Sequence, residues 1–227
     1  MIIAISQRSI RTEKDVRDAL ENSYVKYYEK FGITLLPISN VSSDIKKYFE
    51  NNDVKGIILS GGDDIDPKLY GEEADKEKIS KEREQTEKQL IEIAIEKKIP
   101  LLGVCRGAQF LNVYFGGKLI RDIKKETGLD HVATQHKISL IKDEISNYFN
   151  TKEAVVNSYH NQGINKDTLS NGLEEFAAAE DGSIEGFYHP AHNIAAIMWH
   201  PERDKSDKDF DEKLIRAFLD RKLFWSK

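Results

Sequence analysis

The chain has 227 residues, with 39 acidic and 34 basic side chains and a formal net charge of −5 at pH 7. This length suits one large domain whose core needs no disulfide or metal to be stable. A mildly acidic chain with charges of both signs mixed along it is unsuited to nucleic acid or an anionic membrane, so we expect neither partner.

The first half of the chain alternates short apolar runs with segments of helical period. Strands are predicted at 1–6, 33–39, 56–62 and 100–105, and helices at 14–31, 43–51, 80–98 and 106–116. Repeated strand–helix units imply a parallel sheet covered by helices on both faces. Functional groups are then expected at the carboxyl ends of the strands.

The second half is richer in strands. Closely spaced candidates fall at 137–141, 154–160, 174–180, 183–189 and 193–200. Asp181-Gly182 predicts a hairpin turn between the third and fourth of these, and 207–224 has the apolar spacing of an amphipathic helix. Without repeats or a linker-like stretch, residues 1–227 are predicted to form a single domain.

The expected location is the cytoplasm. The amino-terminal stretch MIIAISQRSI lacks a basic region and a cleavage site, and no apolar run approaches the ~18 residues of a membrane span. Cys105, the only cysteine, is expected to be a reduced thiol.

Cys105 lies in the pattern G-V-C-R-G, where a predicted strand meets a predicted helix. A nucleophile in such a turn is exposed at the top of the sheet, and Gly103 and Gly107 relieve the crowding of the turn. The helix amino terminus lowers the thiol pKa and offers backbone N–H groups to an oxyanion. The alternative is a small buried side chain, which is the usual fate of a free cysteine.

A thiolate nucleophile needs a histidine held by a carboxylate. The stretch 197-IMWHPER-203 supplies His200 at a strand end and Glu202 two residues later, where a turn can bring the carboxylate back to the imidazole. Taken alone, H-P-E is equally a surface turn with a solvated acid. With Cys105, however, these residues form a predicted nucleophile, base and orienting acid.

Further candidates lie at the end of the third predicted strand and in the helix after Cys105. Gly61 and Gly62 follow the third predicted strand, and their amides are candidates to form an oxyanion hole with the N–H of Arg106. Gln109 lies one helical turn after Cys105, where it can bond a polar substrate. The alternatives are a plain glycine turn and a surface glutamine.

Four motifs resemble a known family. G-V-C-R-G-A-Q-F-L-N, V-N-S-Y-H-N-Q and W-H-P-E are similar to class I glutamine amidotransferase-like hydrolases, and S-G-G-D-D-I-D-P-K-L-Y-G-E-E is similar to their γ-glutamyl-γ-aminobutyrate hydrolase branch. The opening I-S-Q-R and closing A-I-M-W-H-P-E-R look more like a smaller subgroup that includes γ-glutamyl-CDP-amidate hydrolases. The resemblance covers most of the chain, up to His200.

The resemblance implies a flavodoxin-like three-layer α/β/α sandwich with a mostly parallel central sheet and a β-rich carboxyl-terminal half. It also implies a Cys105–His200–Glu202 triad that cleaves γ-glutamyl amides through a thioester, with oxyanion amides at Gly62 and Arg106. Six further residues are expected to bind the substrate, some because they match the family's motifs and some because of their expected place at the mouth of the site: Gly61, Gln109, Ser158, Tyr159, His160 and His131.

No metal or cofactor is expected. His131 and His136, or His189 and His192, are the available ligand pairs, but neither has H-E-x-x-H spacing and no cysteines accompany them. The partners expected are therefore a small γ-glutamyl substrate and, for an enzyme of this size, a second copy in a homodimer.

Three functional alternatives stay open. A stand-alone γ-glutamyl amide hydrolase is favoured over a glutaminase subunit that delivers ammonia to a separate synthase. A non-catalytic member of the fold is disfavoured by the intact Cys105, His200 and Glu202. The amine half of the substrate is undecided, because the acidic loop 62–80 suits a cationic amine whereas the basic residues of 121–136 suit a phosphate.

Overall fold

The computed structural model describes residues 1–73 and 79–220. The strands in these ranges are β1 Ile2–Ser6, β2 Arg8–Arg11, β3 Val16–Ala19, β4 Thr34–Ile38, β5 Val54–Leu59, β6 Leu101–Val104, β7 Val132–Leu140, β8 Glu153–Tyr159, β9 Glu174–Ala179, β10 Ile184–Tyr188 and β11 Ile194–Ile197. The α-helices are α1 Asn22–Tyr28, α2 Lys46–Glu50, α3 Lys81–Lys97, α4 Arg106–Tyr114, α5 Ile123–Thr127, α6 Asp143–Phe149 and α7 Lys208–Leu219. None of these helices is long and apolar enough to cross a membrane.

Nine of the described strands form one sheet in the order β4-β1-β5-β6-β11-β10-β9-β7-β8. The neighbours from β4 to β11 are parallel, as the strand–helix units predict. The neighbours from β11 to β8 are antiparallel, and Asp181-Gly182 makes the turn between β9 and β10. The α/β class and the β-rich second half are confirmed, and the sheet as a whole is mixed.

Each face of the parallel part carries its own apolar core. Ile58 packs on the face covered by α7, with Leu214 and Phe218 of that helix. Its neighbours Ile57 and Leu59 point to the opposite face, where α3 and α4 contribute the covering side chains. Alternate residues of a strand point to opposite faces, so a wholly apolar strand such as β5 requires helices on both sides.

The helix predicted at 14–31 is wrong in its first part. Strands β2 and β3 form a hairpin there, and the Thr12 N–H donates to the Asp15 carbonyl across its turn, at 2.8 Å. Val16, which the helical pattern counted as apolar, is 56% exposed on β3. The tyrosines of the same pattern are buried in α1, which begins only at Asn22.

Other differences concern the ends of elements. Strand β11 ends at Ile197, so His200 lies in the loop after it, and β7 begins earlier than predicted, at Val132. Helices α5 and α6 were not predicted. Within the predicted tail helix 207–224, Leu223 lies outside the described residues, as do residues 74–78 of the loop 62–80.

Replacing Leu214 with alanine tests whether α7 docks on the sheet. Leu214 is 1% exposed, so L214A should lower the free energy of unfolding by about 2–5 kcal/mol, because the cavity left in a packed core refills only in part. The measurement is chemical denaturation of both proteins. The matched control is Leu69→Ala, because Leu69 is 51% exposed and its truncation should change stability by only about 0.5 kcal/mol.

Candidate active site

Cys105 occupies a strained turn between β6 and α4. Its backbone has φ 51° and ψ −104°, a conformation that non-glycine residues rarely adopt and that costs on the order of 1–3 kcal/mol. Two hydrogen bonds hold it: the Cys105 N–H donates to the Ile197 carbonyl at 2.8 Å, and the Gln109 N–H donates to the Cys105 carbonyl at 3.0 Å. The turn therefore belongs to both the sheet and the helix.

Close packing explains both flanking glycines. A Cβ atom at Gly107 would lie 2.2 Å from the Leu59 carbonyl oxygen, and one at Gly103 would lie 2.6 Å from Leu111 Cδ1. Real Cβ contacts are essentially never this short, so neither position accepts a side chain without displacement of β5 or α4. The pattern G-V-C-R-G is thus a packing requirement of the turn that presents Cys105.

His200 reaches Cys105 because β6 and β11 are parallel neighbours with Val104 opposite Ile197. His200 Nδ1 lies 2.6 Å from Glu202 Oε1, and the imidazole lies near enough to the Cys105 thiol for each group to shift the pKa of the other. His200 and Glu202 are 2% and 8% exposed, so the contact is shielded from solvent. The structure pairs His200 with Glu202 at the end of the strand beside that of Cys105.

Asn157 holds the backbone of this loop and was not predicted. Its Nδ2 donates to the His200 carbonyl at 2.8 Å, and its Oδ1 accepts the His200 N–H at 2.9 Å. Asn157 lies near the end of β8 and is fully buried, so water does not compete for these two hydrogen bonds. Its presence in the motif V-N-S-Y-H-N-Q is the signal that marks it.

Burial and charge act in opposite directions on the Cys105–His200 pair. Burial raises the pKa of the Cys105 thiol, but the nearby His200 charge and hydrogen bond outweigh burial and leave the pKa below its ordinary value. Burial likewise lowers the pKa of His200, whereas Glu202 and Cys105 together raise it to about 10. Both shifts favour the charged forms, a thiolate beside an imidazolium.

The glycine loop after β5 faces this pair. The Gly61 N–H donates to the Tyr24 hydroxyl at 2.9 Å, and a Cβ at Gly61 would lie 2.6 Å from His200 Cε1. Gly62 has φ +139°, and within the described residues its N–H has no hydrogen-bond partner, nor does that of Arg106 at the start of α4. Gly62 lines the same cavity as Cys105, and Arg106 is the next residue after Cys105.

A buried charge network joins the glycine loop to α4. Glu87 Oε1 accepts from Arg83 Nε at 2.9 Å and from Ser6 Oγ at 2.8 Å, while its other oxygen pairs with Arg106. Arg83 Nη2 also donates to the Ser60 carbonyl at 2.7 Å. Burial raises the pKa of Glu87, but the charges of Arg106 and Arg83 lower it by a larger amount. The net pKa is therefore below its ordinary value, which favours the charged carboxylate. This network was not predicted from the sequence.

A cavity of about 490 Å³ opens above Cys105. Of the predicted site residues, Gly62, Gln109, Tyr159 and His160 line it together with Cys105. Ser158 and His131 are fully buried and lie outside its lining, with Ser158 Oγ donating to the His131 carbonyl at 2.8 Å. Any effect of these two residues on a ligand must be transmitted through Tyr159 and His160.

Charges of both signs line the mouth of the cavity. Asp64 and Asp122 contribute carboxylates, and Arg121 contributes a guanidinium whose Nη1 donates to the Glu73 carbonyl at 3.4 Å. Asn161 and Gln162 add amide groups. The two opposing charge signals in the sequence therefore converge on one cavity.

Comparisons with known proteins place the chain in a family. The peptidase C26 profile matches residues 1–202. The chain belongs to the peptidase C26 family. The family resemblance of the four motifs is thereby confirmed, and the family and its named hydrolases support a hydrolase.

Two relatives carry specific names. A γ-glutamyl-CDP-amidate hydrolase of Campylobacter jejuni is 34% identical over 209 residues, covering 90% of this chain and 91% of the relative. A γ-glutamyl-γ-aminobutyrate hydrolase of Escherichia coli O157:H7 is 30% identical over 186 residues, covering 72% and 70%.

A solved structure supports the fold. The crystal structure of a glutamine amidotransferase from Thermotoga maritima superposes with a TM-score of 0.61 at 17% identity, covering 96% of this chain and 83% of that one. At this identity the likeness supports the flavodoxin-like α/β fold alone.

Alkylation of Cys105 tests the electrostatics of the pair. The rate of reaction with iodoacetamide should rise with pH through a thiol pKa that is lower than the thiol's ordinary value. In His200→Asn only the effect of burial and the weaker neighbouring charges remain, so the thiol pKa should rise and the rate at pH 7 should fall on the order of tenfold. The control is His189→Asn, because His189 lies at the opposite end of the sheet from His200, and its alkylation rate should depend on pH as in the parent. Equal dependence of the rate on pH in all three proteins would contradict the pairing of Cys105 with His200.

Proposed function

We propose that the chain is a cysteine-dependent hydrolase that cleaves the γ-glutamyl amide bond of a small γ-glutamyl conjugate and releases glutamate. The observation that carries the proposal is that Cys105 lines the cavity while its pKa is lowered by His200, which is paired with Glu202. The names of the two relatives support the γ-glutamyl class of substrate.

In the first half of the reaction the Cys105 thiolate attacks the γ-carbonyl carbon. A C–S bond forms, and the carbonyl oxygen becomes an oxyanion that accepts hydrogen bonds from the Gly62 and Arg106 N–H groups. The His200 imidazolium then donates its proton to the leaving nitrogen as the C–N bond breaks. The products of this half are a free amine and a γ-glutamyl thioester on Cys105.

Water completes the reaction. Neutral His200 accepts a proton from a water molecule, whose oxygen attacks the thioester carbon while the C–S bond breaks. Glutamate leaves, and the thiolate beside an imidazolium is restored. Glu202 holds the imidazole by its Nδ1 and stabilises the positive charge in both halves.

The cavity wall supplies groups for the glutamyl part of the substrate. We assign this role to Gln109, Tyr159 and His160, which line the cavity beside Cys105. Gln109 is already oriented, since its Nε2 donates to the Gln162 carbonyl at 3.0 Å. Gly61, Ser158 and His131 act on the substrate indirectly, by fixing the loops that carry these groups.

The scheme also fits a reducing location. A nucleophilic thiolate works only while reduced, so we place the enzyme in the cytoplasm. Every group used in the reaction is a side chain, a backbone amide or water.

A panel of γ-glutamyl amides tests the proposal. The panel contains glutamine, γ-glutamyl-γ-aminobutyrate, γ-glutamyl-putrescine and a γ-glutamyl nucleotide phosphoramidate, and released glutamate is quantified. At least one member should be hydrolysed, and Cys105→Ala should lower that rate at least about 10³-fold because the nucleophile is lost. A preference for γ-glutamyl-putrescine would indicate that the carboxylates at the cavity mouth select a cationic amine. A preference for the phosphoramidate would indicate that Arg121 binds the phosphate.

Two outcomes would count against this function. Hydrolysis that persists in Cys105→Ala would exclude a cysteine nucleophile. Silence of the parent protein on the whole panel, with glutamine hydrolysis appearing only after a synthase is added, would favour the alternative of a glutaminase subunit that delivers ammonia.

The pH profile of kcat/KM provides a separate prediction. Activity should rise as pH passes the lowered pKa of Cys105, because the thiolate is the nucleophile, and fall as pH passes about 10, because His200 then lacks the proton for the leaving amine. Glu202→Gln should move the alkaline limb to lower pH and reduce kcat about 10²-fold or more, because Glu202 raises the pKa of His200. Glu212→Gln, an exposed acid on α7, should leave the profile unchanged.

A further inference from the structure

Three buried histidines surround one buried carboxylate below the cavity wall. His131 directly precedes β7, His136 lies on β7 and His160 directly follows β8, while Glu185 lies on β10. All four residues are at most 9% exposed, and Glu185 and His131 are fully buried. The antiparallel half of the sheet thus assembles a cluster of imidazoles from separate segments.

The nitrogen atoms converge on the carboxylate at the outer limit of hydrogen-bond distance. Glu185 Oε1 lies 3.6 Å from His131 Nδ1 and 3.6 Å from His160 Nε2, and Glu185 Oε2 lies 3.4 Å from His136 Nε2. One donor atom from each of His131, His160 and Glu185 lies within 4.8 Å of the others. Two ligands of one zinc ion at about 2.0–2.2 Å are at most about 4.4 Å apart, so the three histidine–carboxylate distances fit a shared ion.

The outer nitrogens of the two central histidines are already occupied. His160 Nδ1 donates to the Gln162 carbonyl at 3.0 Å, and His131 Nε2 donates to Asp181 Oδ2 at 3.0 Å. With protons on these outer nitrogens, the neutral rings carry lone pairs on the inner atoms, His160 Nε2 and His131 Nδ1; the latter also lies 3.3 Å from Ser158 Oγ. Metal-bound histidines typically donate their other N–H to a carboxylate or a carbonyl in this way.

Several inner atoms lack any partner. In the described part of the chain, both ring nitrogens of His136, Nε2 of His160 and Oε2 of Glu185 are buried without a hydrogen bond. An unpaired buried polar atom is costly, and acceptors that face acceptors repel one another. A cation among them would bind Nε2 of His160, one nitrogen of His136 and Oε2 of Glu185 at once.

We propose that His131, His160 and Glu185 bind a divalent transition-metal ion, with Zn²⁺ preferred and His136 as the fourth ligand. Imidazole and carboxylate donors suit zinc, and four protein ligands make a closed, structural site. His160 also lines the cavity above Cys105, which offers the ion a route inward. The site differs from the nucleophile site and does not rest on the proposed function.

This proposal revises the expectation of no metal. That expectation compared histidine pairs by their spacing along the chain, and His131 and His136 fail the comparison. The ligand set instead depends on Glu185 and His160, which lie on other strands.

Metal content tests the site. The protein is purified with Zn²⁺ present, desalted and measured by inductively coupled plasma mass spectrometry, as parent, Cys105→Ser, Glu185→Gln and His189→Gln. About one zinc per chain is expected in the parent. Cys105→Ser should keep it, which excludes zinc held by the reactive thiol. His189→Gln, in the other histidine pair, should keep it as well, whereas Glu185→Gln should lose at least about tenfold in zinc affinity.

A thermal-shift measurement covers the case in which Glu185→Gln fails to fold. Zn²⁺ should raise the Tm of the parent protein, a chelator should reverse the rise, and His136→Gln should reduce it. A parent protein without zinc, zinc lost in Cys105→Ser, or zinc retained in full by Glu185→Gln would overturn the proposal. Hydrolysis of the γ-glutamyl panel is a separate readout, so failure of either proposal is recognised independently.

Discussion

The parallel pairing of β6 with β11 is the constraint on which the site depends. Val104 lies opposite Ile197, and the ladder continues one residue further because the Cys105 N–H donates to the Ile197 carbonyl at 2.8 Å. That bond, with the helix that starts at Arg106, holds the strained backbone of Cys105. The same register brings the loop of His200 out beside the thiol. Strain at the nucleophile is therefore stabilised by the most buried strands of the molecule.

Buried charge organises the rest of the active-site end. Removing one member of a buried ion pair leaves an uncompensated charge, so such pairs fix geometry more strongly than surface pairs do. Glu87 links Arg83, which holds the Ser60 carbonyl, with Arg106, whose amide flanks Cys105. The glycine loop and the start of α4 are therefore joined by a continuous series of buried polar contacts.

Local patterns predicted most of the parallel half and the residues around Cys105. The tight turn at Gly103 and Gly107 and the pairing of His200 with Glu202 are short-range features, which a sequence shows directly. The hairpin of β2 and β3 was missed because Val16 fits a helical period while its exposure depends on tertiary structure. Glu87 was missed for a similar reason: its partner Arg106 belongs to another helix, and spacing along the chain does not indicate that contact.

The two halves of the sheet contribute differently to the same cavity. The parallel half supplies the thiol and the amides that flank it, whereas the antiparallel half supplies the wall with Tyr159 and His160. Antiparallel strands can place side chains from several segments against one another below such a wall, and they do so around Glu185. Because His160 belongs to both the wall and that cluster, the packing of the cluster also supports the wall. The cavity's shape is thus determined from beneath as well as by the residues that line it.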